Sequence, residues 1–355
     1  MSLTKLKKPI LEYDPRNYSP KDFLNNIENF GINPKNGLRF LGAVIGNGEL
    51  DPINWSKAGI IEKKLALTLE TLPSLTLEKI ESSKIDNFKK LLFRTYDNLF
   101  IETVIIPLHI ENRVSICLSS QVGCVMACDF CATAKMKNRR NLLAWEIFDQ
   151  MRYARIIAKE DNKKVTSCVF MGMGEPFLNY DNVLKTAENL CFPVVNAISS
   201  KSITISTVGI LDKIHKFIDE KRPFRLSISL GAATDEKRKK LVPVASKTSL
   251  QDIINAAKKY SAQRKDRINL SYVCISGENI SIEDAKNLAK VIGDLKVRLD
   301  LIDVYDSAGV YKKPSDSEIS EFRTHLNTYL RQPVARRYSG GSDINASCGT
   351  LAGNL

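Results

Sequence analysis

The chain has 355 residues, 43% of them hydrophobic and 26% charged, with a formal net charge of +12. That is enough apolar material for a sizeable core, and the length points to two or three domains. No apolar run reaches the roughly 18 residues of a membrane span, and the N-terminal stretch MSLTKLKKPILEYDPRNYSPKDF lacks the apolar core of a secretion signal. A cytoplasmic protein with no membrane association is expected, and in that compartment clustered cysteines point to metal or redox chemistry rather than to structural disulfides. The positive balance favours a polyanionic partner, nucleic acid foremost.

In chain order, residues 1–95 come first. KDFLNNIENF and WSKAGIIEKKLALTLETL, separated by turn-rich INPKNG and IGNGELDP, predict a small, mostly helical N-terminal domain. It ends near LTLEKIESSKIDNFKKLLFRTYDNLFIETVIIP, which reads as strand, turn, strand, strand. From about residue 112, apolar runs alternate with helical segments. The runs are RVSICLSS, KVTSCVFMGMG, SITIST, FRLSISL, INLSYVCI and VRLDLIDVY. Six β-α alternations with near-continuous apolar strands predict an α/β fold over residues 96–330: a parallel sheet, either open and doubly wound or a partial barrel. In both, ligands gather at the C-terminal ends of the strands. Residues 331–355 form a glycine-rich segment, SGGSDINASCGTLAG, read as a flexible loop over that end.

The chemistry begins just after the first of these strands. Cys124, Cys128 and Cys131 read C-x-x-x-C-x-x-C, a spacing that lets three thiolates converge from one loop. Structural zinc usually takes four ligands as two close pairs, and neither a second pair nor a nearby histidine is present. Three thiolates suit a [4Fe–4S] cluster with one open iron; zinc and unrelated thiols are the alternatives. The motif resembles that of the radical SAM superfamily, which implies a [4Fe–4S] cluster and S-adenosyl-L-methionine (SAM) as cofactors and a (β/α)6 partial barrel as the fold. Gly174 and Glu175 in FMGMGEPFLN end the second strand, Ser206 in ISTVG the third, and Ser229, Leu230 and Gly231 in SISLG the fourth. Under that resemblance they are cofactor-binding. Helix capping is the ordinary alternative for the hydroxyls.

Cys168, Cys191 and Cys274 lie in apolar runs and read as core, which leaves Cys117 on the first strand and Cys348 in the tail. CLSSQVGCVMACDFCAT, MGMGEPFLN, ISTVG and GSDINASCGTLAG together resemble the RlmN/Cfr family of radical SAM RNA methyltransferases, from about residue 100 to the C-terminus. The resemblance implies methylation of an sp2 ring carbon of adenine in RNA (rRNA or tRNA), an electron donor such as flavodoxin or ferredoxin, and a monomer. It also implies Cys348 as methyl carrier, Cys117 as its transient disulfide partner and Glu102 as proton acceptor. The sequence departs from the family at Gly231, where histidine is common, and at Tyr305, where an asparagine contacts SAM. The N-terminal domain departs most. Lys135, Lys137, Arg139, Arg140, Arg336 and Arg337 form the expected path for phosphates, whereas DEKRKKL reads as a solvated helix start.

Overall fold

The computed structural model describes residues 14–306 and 309–353. Residues 15–66 form short helical turns, and the sequence shows why. Asp14, Ser19, Asn33 and Asp51 each precede a proline, and each side chain accepts a hydrogen bond from a backbone amide of the turn it opens. A capping side chain followed by a proline, with φ already set, starts a helix at small entropic cost. Phe23 stacks on Phe30 at 5.1 Å and on Phe40 at 5.6 Å, and Phe40 meets the edge of Trp55 at 4.8 Å, so this segment has its own aromatic nucleus.

Ten strands form one sheet in the order β1-β2-β3-β4-β7-β8-β9-β10-β11-β12. β1 (Thr76–Ser82), β2 (Lys89–Arg94), β3 (Phe100–Pro107) and β4 (Arg113–Cys117) pair antiparallel. The parallel series then runs from β4 through β7 (Lys164–Phe170), β8 (Ile203–Thr207), β9 (Arg225–Ser229), β10 (Ile268–Cys274) and β11 (Val297–Asp303) to β12 (Val334–Arg337). A separate two-stranded ribbon, β5 (Gln121–Val122) with β6 (Arg140–Asn141), lies in the first crossover. Each parallel strand is laid beside its predecessor and the order never reverses. That excludes the doubly wound alternative, which needs a switch point, and leaves the partial barrel. The division expected at residue 95 falls between β2 and β3, which are joined in register from Lys89↔Ile105 to Arg94↔Phe100. The expected boundary at residue 330 likewise precedes a strand that pairs with β11. The helical segment therefore ends near Ala66, and one sheet extends from Thr76 to Arg337.

The crossovers carry helices α1 (Ala144–Glu160), α2 (Tyr180–Cys191), α3 (Leu211–Asp219), α4 (Asp235–Leu241), α5 (Leu250–Arg264) and α6 (Ile282–Ile292), followed by α7 (Asp316–Tyr329). Thr234, Ser249, Ser281 and Ser315 cap the last four. The main core runs through the sheet and helices. A second apolar cluster of Met126, Ala232, Leu241, Val242, Ile275, Val304 and Tyr311 surrounds Cys124 at the C-terminal ends of the strands. Among the described residues, no helix is long and apolar enough to cross a membrane.

The N-terminal segment is fixed to the barrel through a buried charge network. Arg16 is fully buried and pairs with Asp14 at 2.7 Å and with Asp149 of α1 at 3.1 Å; it also donates to the Pro73 carbonyl at 2.6 Å. Removing the cation leaves buried Asp14 without a charge partner and Asp149 with Arg152 alone. Arg16→Met should lower unfolding free energy by about 3–5 kcal/mol, measured by urea titration with wild type as the reference.

Candidate active site

The cysteine loop is held at its root by close backbone approach. The Ser119 amide donates to Gln150 Oε1 at 2.8 Å, and Ser119 Oγ donates to the Glu102 carbonyl at 2.5 Å while accepting from the Met173 amide at 2.9 Å. The Glu175 amide donates to Gln121 Oε1 at 2.7 Å. The end of β7 thus lies flat against the start of the loop, which is possible only with glycine. A Cβ on Gly172 would come within 2.8 Å of the Leu118 carbonyl oxygen. One on Gly174, whose φ is +102°, would come within 2.6 Å of Gln121 Cβ.

Within the loop, the Cys131 amide donates to the Cys128 carbonyl at 3.1 Å. Asp129 is held by its amide to the Leu241 carbonyl at 3.0 Å and by Tyr311, whose hydroxyl donates to Oδ2 at 2.6 Å. Burial pushes the Cys124 thiol up to about 12, with the charges of Glu175 and Cys131 adding and Arg139 opposing. Burial likewise raises Cys128 well above its ordinary value, and Cys131, Cys124 and Glu175 add to it. The three thiols and Glu175 therefore share one desolvated neighbourhood. Among the described residues no three such side chains converge closely enough for a single metal ion. A [4Fe–4S] cluster spreads its thiolates over separate irons, and the three soft donors on this loop fit it.

The other predicted residues sit at strand ends around this loop. Glu175 is 2% exposed; its carboxylate accepts from the Phe177 amide at 2.8 Å and from the Val208 amide at 2.9 Å, tying the end of β7 to the end of β8. Burial pushes it up to about 7 against those hydrogen bonds. Ser206 is the last residue but one of β8 and is buried; Ser229 ends β9 and is half-buried. Thr207, next to Ser206, closes the turn after the strand, since its hydroxyl accepts from the Gly209 amide at 3.1 Å. Leu230 is fully buried, and its amide donates to the Ser271 carbonyl at 3.0 Å. Gly231 has φ +77°, and a Cβ there would press on Val242 at 3.1 Å. Tyr305 is half-buried, and its hydroxyl accepts from Lys313 at 2.8 Å.

The tail is not the free loop expected from its glycines. Near its start, Asp86 Oδ2 accepts from the Gly341 amide at 2.8 Å and Asp343 Oδ2 from the Lys84 amide at 2.9 Å. Past Cys348, the Ala132 amide donates to the Gly349 carbonyl at 2.8 Å and Thr133 Oγ1 donates to the Leu351 carbonyl at 2.6 Å. Glu102 Oε2 accepts from the Ala352 and Gly353 amides at 2.8 and 3.1 Å. Cys348 lies between these anchors and is exposed, though the surrounding protein still desolvates its thiol. Burial raises its thiol; Arg337 opposes the rise and the charge of Cys131 adds to it. Burial pushes Cys117 up to about 12, with Cys348 adding to the rise and Arg337 opposing it. Both tail and strand cysteines are free thiols, so the expected disulfide is not formed in this state.

Several basic residues differ from expectation. Arg140 is bidentate to both Asp97 and Glu146, and Arg336 is bidentate to Asp303 and also pairs with Asp316. Neither is placed to meet phosphate. Lys135, Lys137 and Arg139 are exposed beside the cysteine loop. DEKRKKL is not wholly solvated: Arg238 is 1% exposed and donates to the carbonyls of Val208, Leu230 and Thr248 at 2.7, 3.0 and 2.9 Å. It braces the ends of β8 and β9. Its sign in the sequence is helical spacing, since it lies one turn before the buried Leu241. Cys168 and Cys274 are core as expected, whereas Cys191 is only half-buried.

A trio of thiols on the first crossover, ringed by the C-terminal ends of a one-directional parallel series, defines a radical SAM protein. A family model for the Radical SAM superfamily matches residues 118–289. A Myxococcus xanthus protein described as "Probable RNA methyltransferase" is 45% identical over 267 residues, 75% of this chain and 73% of its own. One from Anaeromyxobacter of similar description is 38% identical over 91% of this chain and 94% of its own. A Thermotoga neapolitana protein described as "Probable dual-specificity RNA methyltransferase RlmN" is 41% identical over 79% and 80%. The crystal structure of a radical SAM methyltransferase from Sphaerobacter thermophilus superposes with a TM-score of 0.87 at 30% identity, covering 96% of this chain and 99% of the other. The chain belongs to the RlmN-type family of radical SAM RNA methyltransferases, and it is a SAM-dependent methyltransferase of the radical class.

Glu175 gives the site a pH signature. The folded state keeps its proton up to about 7, whereas the unfolded chain releases it near 4.5. Between those values the folded state binds more protons, so its stability falls as pH rises and levels off above about 7. In cluster-free protein, Glu175→Gln should flatten that fall. Urea titrations at pH 5 and pH 7.5 check this; an equal fall in both proteins contradicts it.

Proposed function

We propose that the chain methylates an sp2 ring carbon of an adenine in rRNA or tRNA, with Cys348 as the methyl carrier and Cys117 as the thiol that releases the product. The observation that carries this reading is the placement of Cys348 on an anchored tail, within electrostatic reach of both Cys131 and Cys117. Cys124, Cys128 and Cys131 would hold the cluster, and Gly174, Glu175, Ser206, Ser229, Leu230, Gly231 and Tyr305 would line the SAM site at the strand ends.

An aromatic ring carbon of adenine is too weak a nucleophile for direct displacement on SAM. A thiolate is not, so Cys348 takes the methyl first and becomes a thioether. When bound, the cluster supplies the electron that cleaves a second SAM to the radical able to remove hydrogen from that S-methyl group. The carbon on Cys348 then joins the ring; the adduct gives its unpaired electron to a one-electron acceptor, which the oxidised cluster would supply, and the ring carbon gives up its own proton to a base, which leaves Cys348 bridged to RNA. Cys117 resolves the bridge by attacking Cys348 Sγ: the S–S bond forms as the S–C bond breaks, and the electron pair stays on carbon, which takes up a proton as the new methyl. The cellular thiol pool reduces the disulfide. Arg337 opposes the burial-driven rise of both thiols, which favours thiolate at each. Its Nη1 lies 3.1 Å from Met171 Sδ, at the end of the strand that pairs with β4. Lys135, Lys137 and Arg139 offer RNA phosphates a cationic rim beside the loop. A small reductant protein of the flavodoxin or ferredoxin kind completes the set of partners.

The test uses anaerobically purified, cluster-loaded enzyme with SAM, reductant and candidate RNAs. Expected products are 5′-deoxyadenosine and a methyladenine in RNA. Cys348→Ala should abolish RNA methylation, and retained methylation would refute the carrier role. SAM cleavage by wild type without methylation of any RNA would overturn the substrate reading.

A further inference from the structure

Glu102 has a place in the structure that its expected role as proton acceptor does not account for. The side chain is 3% exposed. Oε1 faces the Lys90 ammonium at 3.0 Å, and Lys90 is itself 9% exposed. Oε2 accepts from two consecutive tail amides, Ala352 at 2.8 Å and Gly353 at 3.1 Å. These bonds join residues 250 and 251 positions apart in the chain. The backbone of Glu102 is fixed too, since its carbonyl accepts from Ser119 Oγ at the root of the cysteine loop.

The tail is shaped to meet this carboxylate. Gly353 has φ +61°, and a Cβ there would lie 2.6 Å from the Phe100 carbonyl oxygen. Two successive amides aimed at one anionic oxygen form a small anion-binding concavity, and hydrogen bonds to a charged acceptor are about twice as strong as neutral ones. Lys90 holds the other carboxylate oxygen, so both oxygens of Glu102 are engaged. Thr133 adds a second tie, from the cysteine loop to the Leu351 carbonyl at 2.6 Å.

We infer that the Lys90–Glu102 pair, with Thr133, is a latch that positions the carrier tail: it fixes residues 349–353 so that Cys348 stands between the cysteine trio and Cys117. Glu102 is then a positioning residue acting through the backbone of the tail. The inference rests on the reading of Cys348 as methyl carrier, but the latch can be measured without methyl transfer.

Three variants break it from different sides: Glu102→Ala removes the acceptor, Thr133→Val the loop tie, and Gly353→Ala the backbone conformation of the tail. The readouts are hydrogen exchange of the C-terminal peptide in cluster-loaded protein and the rate at which iodoacetamide alkylates Cys348, followed by peptide mass spectrometry. Losing charge-assisted bonds of this kind should speed both by about tenfold or more in Glu102→Ala, with smaller increases in the other two. A latch also separates two activities: Gly353→Ala, which removes no acid–base group, should still release 5′-deoxyadenosine from SAM while RNA methylation drops, whereas a merely destabilised enzyme loses both together. Thr133→Val is the conservative change should Glu102→Ala fold poorly. Wild-type tail exchange and wild-type Cys348 alkylation in all three variants would overturn the latch. If wild type itself methylates no RNA while tail exchange still responds to the variants, the functional reading fails and the latch stands.

Discussion

Desolvation at the C-terminal ends of the parallel strands is the constraint on which the rest of this protein turns. Met126, Leu241, Val242, Ile275 and Val304 make that region apolar, and the buried groups beside the cysteine loop are pushed toward their neutral forms. Cys124 and Cys128 rise, Glu175 rises to about 7, and Arg238 falls, all with burial as the leading cause. A lone charge in such a place is expensive. Thiolates become favourable only when positive charge arrives with them, so ligand ionisation and metal binding are one event. The same dryness protects radical chemistry, because a site that excludes water limits side reactions.

A dry site is useful only if its parts are held in register. Here the backbone does the holding. Gly172 and Gly174 let β7 press against the root of the cysteine loop, and Gln121 and Ser119 lock that contact with hydrogen bonds. Glu175 ties β7 to β8, and Arg238 ties β8 to β9. The tail is fastened to the same loop and to β3. A radical methyl transfer to RNA gains most from such fixed geometry, since orientation converts an encounter into an internal step.

How much of this is legible in the sequence depends on range. The parallel strands are legible because strands buried on both faces, such as ITIST, read as continuous apolar runs. The helix starts are legible from Ser and Thr followed by acidic residues. The cysteine trio is legible because its spacing is local. Cys117 and Cys348 stand out once the cysteines in apolar runs are set aside, and only the resemblance pairs them. The anchoring of the tail is not legible, because its bonds join Thr133 to Leu351, 218 positions apart, and Glu102 to residues farther still. Glycines announce freedom of φ, and here that freedom is used to dock. Arg238, Arg140 and Arg336 mislead for a related reason: a basic run looks solvated until the fold brings carbonyls or carboxylates to it.

That last point bears on how a chain of net charge +12 meets RNA. Net charge counts every cation equally, but a guanidinium committed to Asp303 or Glu146 contributes little local field. What remains at the cysteine loop is a short rim, Lys135 to Arg139, and Lys135 itself leans on Asp306 at 3.2 Å. A second set, Lys35, Lys57, Lys63 and Lys64, is exposed on the N-terminal helical turns, which are joined to α1 through buried Arg16. Phosphate contacts of this kind set position and are indifferent to base identity. Choice of base must therefore come from groups that touch the base itself, not from this rim.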